Sequence, residues 1–200
     1  MTAPTSIEQI INQAIDAAGY GEYIGNIYEG TKEARIALDI YGQTRDAMLS
    51  DGNWEFAERN VAGTLLKQAP QSYLATWDPT YPPQPWRFEY TFPSDALKIR
   101  AVKPTVVFAP NFDPQPWPYS IDNDSSLTPP QRVILSNVPN ALLVYTGRVV
   151  DPTTWDVAFL EEFIVALAKK MAPVLKVFET ERLLIPEKAQ DEMVAKDTQE

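Results

Sequence analysis

The chain contains no cysteine and no histidine. The missing cysteines exclude disulfide bonds and thiol nucleophiles, and the missing histidines remove the commonest general base and the usual zinc ligands. Catalysis by paired carboxylates, as in glycoside hydrolases, stays open because the chain has 27 acidic residues. No acidic pair lies in a recognisable motif, so we expect no catalytic residue, no cofactor and no metal site.

The sequence also lacks a long apolar run and a signal peptide. No segment approaches the roughly 20 apolar residues that cross a bilayer. The N-terminal sequence MTAPTSIEQI has neither the basic start nor the apolar stretch of a signal peptide. These absences predict a protein that is made and folded in a cytoplasm and does not enter a membrane.

Positive charge is scarce, with 17 basic residues against 27 acidic ones and a formal net charge of −10. Such a surface repels phosphate, which argues against specific DNA binding. It is compatible with a protein through which DNA passes without binding. Hydrophobic residues make up 44 % of the 200 residues, enough for a folded core.

Apolar residues at helical spacing predict three helices. The first covers residues 5–18, where Thr5 and Glu8 have the spacing of a capping box. The second covers residues 31–49. The third begins at Asp151-Pro152, because Asp favours the N-cap and Pro favours the first helical position, and Pro173 is expected to kink or interrupt it.

Alternating residues predict a sheet between the second and third helices. A strand at residues 86–92 carries four aromatic side chains on one face, and the turn Pro93-Ser94-Asp95 joins it to a strand at residues 97–101 in a predicted hairpin. A strand is also expected around Trp54, and two more at residues 132–136 and 142–146. The predicted structural core contains Trp54, Trp86, Phe88, Tyr90, Phe92, Trp155, Phe159 and Phe163.

Two proline-rich stretches, residues 67–85 and 104–130, hold 12 of the 18 prolines and predict long loops. Asp122-Asn123-Asp124 is interpreted as a solvated turn, since the glycine and distal glutamate of a calcium loop are missing. Aromatic residues near the loops either pin them in place or stack on sugars, and the first interpretation is preferred. They are Trp77, Tyr81, Trp117 and Tyr119.

The predicted fold class is therefore α+β. N- and C-terminal helices form a small helical bundle, with an inserted antiparallel β region that carries long proline-rich loops. A single domain is expected over residues 1–178, with a helical part at 1–52, the β region at 53–150 and a helix at 151–178. Residues 179–200 are predicted to form an extended C-terminal arm, in which Leu183, Leu184 and Ile185 are the densest apolar cluster.

Three stretches of the chain together resemble a known family. They are ARIALDIYGQTRDAMLSDGNWEFAER (34–59), WRFEYTFPSDALKIRAV (86–102) and DPTTWDVAFLEEFIVALAKKMA (151–172). Their order resembles the tail tubular protein A family, the head-to-tail adaptors of short-tailed bacteriophages. The chain departs from this family at Pro173, where the helix usually continues, and in its short C-terminal arm.

The resemblance implies a structural virion protein at the neck between portal and tail, assembled in the host cytoplasm. It implies a dodecameric ring that docks below the portal protein, extends the DNA channel and attaches the tail tube or nozzle protein. The ring would bind after DNA packaging, and DNA would pass through it without specific binding during genome ejection. The family's C-terminal segment reaches the portal, which makes Leu183, Leu184 and Ile185 portal-interface candidates. The alternative function is a carbohydrate-binding virion or surface module.

Overall fold

The computed structural model describes residues 6–70, 78–105 and 115–184, with side chains through residue 176. Within these ranges the chain forms three α-helices, two short 3₁₀ helices and seven β-strands. They divide between a helical unit, within Met1–Met48 and Val149–Glu200, and a sheet unit, within Leu49–Arg148. The bounds are α1 Ile7–Ala17, α2 Lys32–Asp51, β1 Glu58–Ala62, β2 Leu65–Gln68, β3 Phe88–Thr91, β4 Ala96–Pro104, β5 Tyr119–Asp124, β6 Gln131–Ser136, β7 Ala141–Gly147 and α3 Val157–Leu184.

The N-cap of helix α1 lies one residue later than the sequence predicts. Ser6, not Thr5, is the N-cap: its Oγ accepts a hydrogen bond from the backbone N–H of Gln9 at 3.2 Å. The Gln9 side chain accepts one from the backbone N–H of Ser6 at 3.3 Å, which completes a capping box. The buried face of the helix packs against α3 and consists of Ile10, Ile11, Ala14 and Ile15.

The core of the helical unit is built from aromatic rings. The ring of Phe163 lies edge-on to the rings of Tyr41 and Trp155, with centroids 5.1 and 5.2 Å apart. Phe159 stacks on Phe163 and meets Trp155 edge-on at 5.0 Å. Edge-to-face contacts at these distances stabilise beyond the area they bury, so this cluster fixes how α2 and α3 pack.

Asp151 caps a 3₁₀ turn and not the third α-helix. Its carboxylate accepts a hydrogen bond from the backbone N–H of Thr153 at 2.9 Å, and α3 starts only at Val157. The helix then continues through Pro173, so the predicted interruption does not occur. Pro173 is exposed, and water can therefore satisfy the carbonyl whose helical hydrogen bond the proline removes.

The sheet unit contains two antiparallel sheets. One has three strands in the order β1-β7-β4, and the other has four in the order β2-β3-β6-β5. In the larger sheet, Ile134 of β6 lies opposite Tyr90 of β3 on one side and Ile121 of β5 on the other. Strands β1, β2 and β5 were not predicted, and β2 and β5 overlap the two proline-rich stretches.

The predicted hairpin between residues 86–92 and 97–101 is wrong. Strand β3 pairs with β2 and β6, whereas β4 pairs with β7 in the other sheet. Asp95 explains why β3 and β4 enter different sheets, because it ties the segment between them to the end of β7. Its carboxylate accepts a hydrogen bond from Tyr145 Oη at 3.0 Å, and its carbonyl accepts one from the N–H of Arg148 at 2.8 Å.

The strand predicted around Trp54 is also absent. Residues Glu55–Ala57 form a 3₁₀ turn, and β1 follows at Glu58. Arg100 of β4 holds this turn in place. Its guanidinium donates to the carbonyl of Trp54 at 2.8 Å, to Thr146 Oγ1 at 2.8 Å and to Glu58 Oε2 at 3.0 Å.

The predicted fold class, a small helical bundle with an inserted β region, is wrong. The chain is a mixed α/β protein whose two antiparallel sheets make up much of the core. The sheets bury a hydrophobic cluster of their own, to which strands from both sheets contribute side chains that are at most 6 % exposed. This cluster consists of Phe88, Tyr90, Ile99, Val102, Ile134, Val138, Ala141, Leu143 and Tyr145.

Candidate functional site

The core candidates differ in burial. Phe88, Tyr90, Trp155, Phe159 and Phe163 are buried, whereas Trp54, Trp86 and Phe92 are partly exposed. Of the portal-interface candidates, Leu183 and Leu184 fall in the last turn of α3, where only the backbone is described, and Ile185 lies outside the described residues. No helix in the described part of the chain is long and apolar enough to cross a membrane.

A buried charge cluster in the four-stranded sheet contains Lys67, Glu89 and Asp124. The ammonium of Lys67 forms an ion pair with Asp124, donates to Ser126 Oγ at 2.8 Å and lies 3.9 Å from Glu89 Oε2. Glu89 is only 1 % exposed, because β3 is covered on both faces. The cluster lines a cleft of about 230 Å³, to which Asp122 also contributes.

The two carboxyl groups of this charge cluster have opposite pKa shifts. Burial, a hydrogen bond with Asp124 and the nearby acidic charges raise the pKa of Glu89 to about 7, although Lys67 opposes the shift. Burial would also raise the pKa of Asp124, but hydrogen bonds from Lys67 and Ser126 outweigh it and lower that pKa. Below about pH 7 a protonated Glu89 can therefore donate a hydrogen bond to an ionised Asp124.

A proton on Glu89 also accounts for a buried oxygen that otherwise has no hydrogen-bond partner. Glu89 Oε1 is buried and accepts no hydrogen bond from the described residues. Two ionised carboxylates cannot hydrogen-bond to each other, whereas a protonated one donates to its ionised neighbour. We therefore expect the two acids of the charge cluster to share one proton below about pH 7, beside the ammonium of Lys67.

The geometry of the charge cluster does not favour the glycosidase alternative. Glycoside hydrolases need roughly 5–10 Å between their two carboxyl groups to admit the sugar or a water molecule. The Lys67 ammonium contacts the Asp124 carboxylate and lies 3.9 Å from Glu89 Oε2, so it occupies the space beside the two acids. Within the described residues, no group of three or more acidic side chains could hold a metal ion.

We expect Glu89→Gln to remove a pH dependence of stability. Between the unfolded pKa of 4.5 and the folded pKa of about 7, the native state binds more protons than the unfolded state, so stability falls as pH rises. The Gln amide keeps the donor without ionising. The stability of the variant relative to wild type should therefore rise by on the order of 2–3 kcal/mol from about pH 5 to pH 8.

Urea unfolding at several pH values measures this difference. Glu55→Gln is the matched control, because it makes the same chemical change at an exposed position of the sheet unit. A relative stability of Glu89→Gln that does not change with pH would contradict the shared proton.

The loop aromatics are dispersed. Tyr119 donates from its hydroxyl to the carbonyl of Ile99 at 2.9 Å, which fastens β5 to β4. Trp117 is 50 % exposed and bridges to Val102 through its backbone. Sugar binding would require Trp77 and Trp117 to line one groove, and Trp77 lies outside the described residues. Asp122-Asn123-Asp124, interpreted as a turn, belongs to β5 and pairs with β6.

The sheet unit also carries an exposed apolar edge. All five residues of β1 are exposed, and β1 is an edge strand that pairs only with β7 among the described residues. Val61 of β1 and Leu65 and Leu66 of β2 are 44, 47 and 37 % exposed. We call these three side chains the edge patch. Exposed edge strands favour pairing with another chain unless something covers them.

The sequence patterns predicted neither the charge cluster nor the edge patch. The alternation around Glu89 correctly indicates that it points away from the aromatic face, but the pattern does not reveal that the opposite face is also covered. Asp124 is 35 residues away in a stretch interpreted as a loop, so nothing connected the two acids. Val61, Leu65 and Leu66 form a weak strand pattern that could have been found.

No protein-family model matches this chain, and no curated protein matches it.

Proposed function

We propose that this chain is a structural head-to-tail adaptor of a tailed bacteriophage. It forms a ring below the portal protein, extends the DNA channel and provides the attachment site for the tail. The observation that carries the proposal is the edge patch together with the exposed edge strand β1, which pairs only with β7 in the part of the chain that the structure describes. A ring covers such an edge with the neighbouring subunit or with the tail component, whereas an isolated monomer leaves it exposed.

Charge supports the same function. Each subunit carries a net charge of −10. A channel through a ring of such subunits attracts phosphate poorly, so the duplex passes through it without binding. The buried charge cluster fits a structural role within each subunit, because its ammonium and hydroxyl donors are used internally. The proposed position in the particle rests on the ordered resemblance of three stretches to the tail tubular protein A family.

The test of this proposal mixes the purified chain with the portal protein from the same genome. We expect a joint complex that contains a ring of this chain, weighed by native mass spectrometry. Cryo-electron microscopy of the particle should then place the chain between portal and tail. Absence of any joint complex, or a position elsewhere in the particle, would refute the adaptor function.

Val61→Lys tests the edge patch itself. A lysine on an edge strand opposes pairing with a second chain, and at an exposed site it changes folding stability by only about 0.5 kcal/mol. We expect the variant to melt like wild type and to lose the joint complex. The control is Val150→Lys, which places the same charge at a site 57 % exposed in the helical unit. Equal ring formation by both variants would rule out the edge patch as the interface.

A further inference from the structure

The outer face of α3 carries charges in a self-complementary order. Seven-residue spacing places Ala158, Val165 and Ala172 on one seam, none of them buried, with Val165 49 % exposed. Glu161 lies four residues before Val165 and Lys169 four residues after it, so each is about 6 Å along the axis from the valine. Along the helix, this face is therefore acidic at Glu161, apolar at Val165 and basic at Lys169.

These charges are available to a partner. Glu161, Glu162 and Lys169 are exposed and form no ion pair with another described residue. They line an open groove of about 470 Å³ beside Val165, whose lining is mostly apolar and includes Met48 and Ala166. The groove can receive small apolar side chains from another helix.

An antiparallel copy of the same helix matches this face. With the two Val165 side chains on a two-fold axis, Glu161 of each copy lies opposite Lys169 of the other, and Ala158 lies opposite Ala172. A parallel copy in the same register instead places like charges together. Small side chains on the seam let the two helices approach closely.

We propose that α3 joins two copies of this chain through a two-fold antiparallel contact centred on Val165. This contact goes beyond the adaptor function, since an isologous pair is not a step of a cyclic ring. The contact is proposed for the free subunit, before a ring forms. Because its charges are exposed, the contact weakens as salt screens them.

Cysteine cross-linking tests the two-fold axis, since the chain has no cysteine of its own. Val165→Cys places one thiol of each copy at the axis, and mild oxidation should give a covalent dimer. The control is Leu38→Cys, at a position 45 % exposed on α2. The raised local concentration should make Val165→Cys cross-link on the order of tenfold faster or more. Equal rates would overturn the proposal.

Charge exchange tests the pairing in solution. Lys169→Glu should reduce dimerisation in sedimentation velocity at low salt, and the double variant Glu161→Lys/Lys169→Glu should restore it, because the exchanged face is again self-complementary. Lys170→Glu, a neighbouring exposed lysine off the seam, should leave dimerisation unchanged. A monomeric wild type at all concentrations, no recovery in the double variant, or a closed ring of the purified chain would overturn the proposal. Portal binding plays no part in these measurements, so their failure is distinct from failure of the adaptor function.

Discussion

Phe163→Ala is expected to destabilise the helical unit by about 3–5 kcal/mol, the cost of truncating a fully buried aromatic side chain. Phe163 is 0 % exposed and contacts the rings of Tyr41, Trp155 and Phe159. The substitution removes its own buried surface and leaves three rings beside a cavity that the helices cannot fill without shifting. Such a loss is a large share of the 5–15 kcal/mol that stabilises a typical domain.

Chemical denaturation followed by far-ultraviolet circular dichroism measures this loss. Tyr28→Ala is the control, because it removes an aromatic ring that is 79 % exposed in the same unit. The control should change stability by about 0.5 kcal/mol or less. A midpoint for Phe163→Ala equal to that of Tyr28→Ala would show that the aromatic cluster is not the core of the helical unit.

Local patterns predicted the helices well and their ends less well. The apolar spacing in α1 depends only on residues within two turns of each other, and a helix forms where that spacing predicts one. The capping residue was misplaced because Thr5 and Ser6 both suit an N-cap, and both Glu8 and Gln9 suit the third helical position. The choice between two such neighbours depends on packing that the sequence pattern does not contain.

Strand pairing could not be predicted in the same way. Strands β3 and β4 are joined by four residues, and a short connection normally makes a hairpin. The contacts of Asp95 with Tyr145 and Arg148 instead direct β4 to the other sheet, and both partners lie about 50 residues away. The fold class was wrong for the same reason, since two sheets with a core of their own require long-range pairs.

The buried charge cluster was unpredictable for a further reason. Its members are common surface residues, and only burial by the surrounding sheet makes them significant. Glu89 alone in a strand pattern indicates an outward-facing side chain. Its raised pKa arises from burial and from Asp124, neither of which is visible in the local sequence.

Lys67→Met should destabilise the sheet unit by about 3–5 kcal/mol near pH 8, because it removes the only ammonium within reach of two acidic groups among the described residues. Methionine keeps most of the apolar part of the lysine side chain, so the loss of stability measures the contribution of the charge. At that pH Glu89 is largely ionised in wild type, and without Lys67 it must either stay ionised beside Asp124 or take up a proton.

The loss of stability in Lys67→Met should become smaller as the pH falls. Near pH 5 Glu89 is protonated in the native state, its proton is shared with Asp124, and one buried charge is left without its ammonium instead of two. The double variant Lys67→Met/Glu89→Gln should therefore recover part of the stability at pH 8 and little at pH 5, which a double-mutant cycle measures. The control is Lys98→Met, at an exposed position of β4. A loss in Lys67→Met that is the same at both pH values would mean that Glu89 does not titrate in this range. The ammonium would then stabilise Asp124 alone, and the acid pair would share no proton.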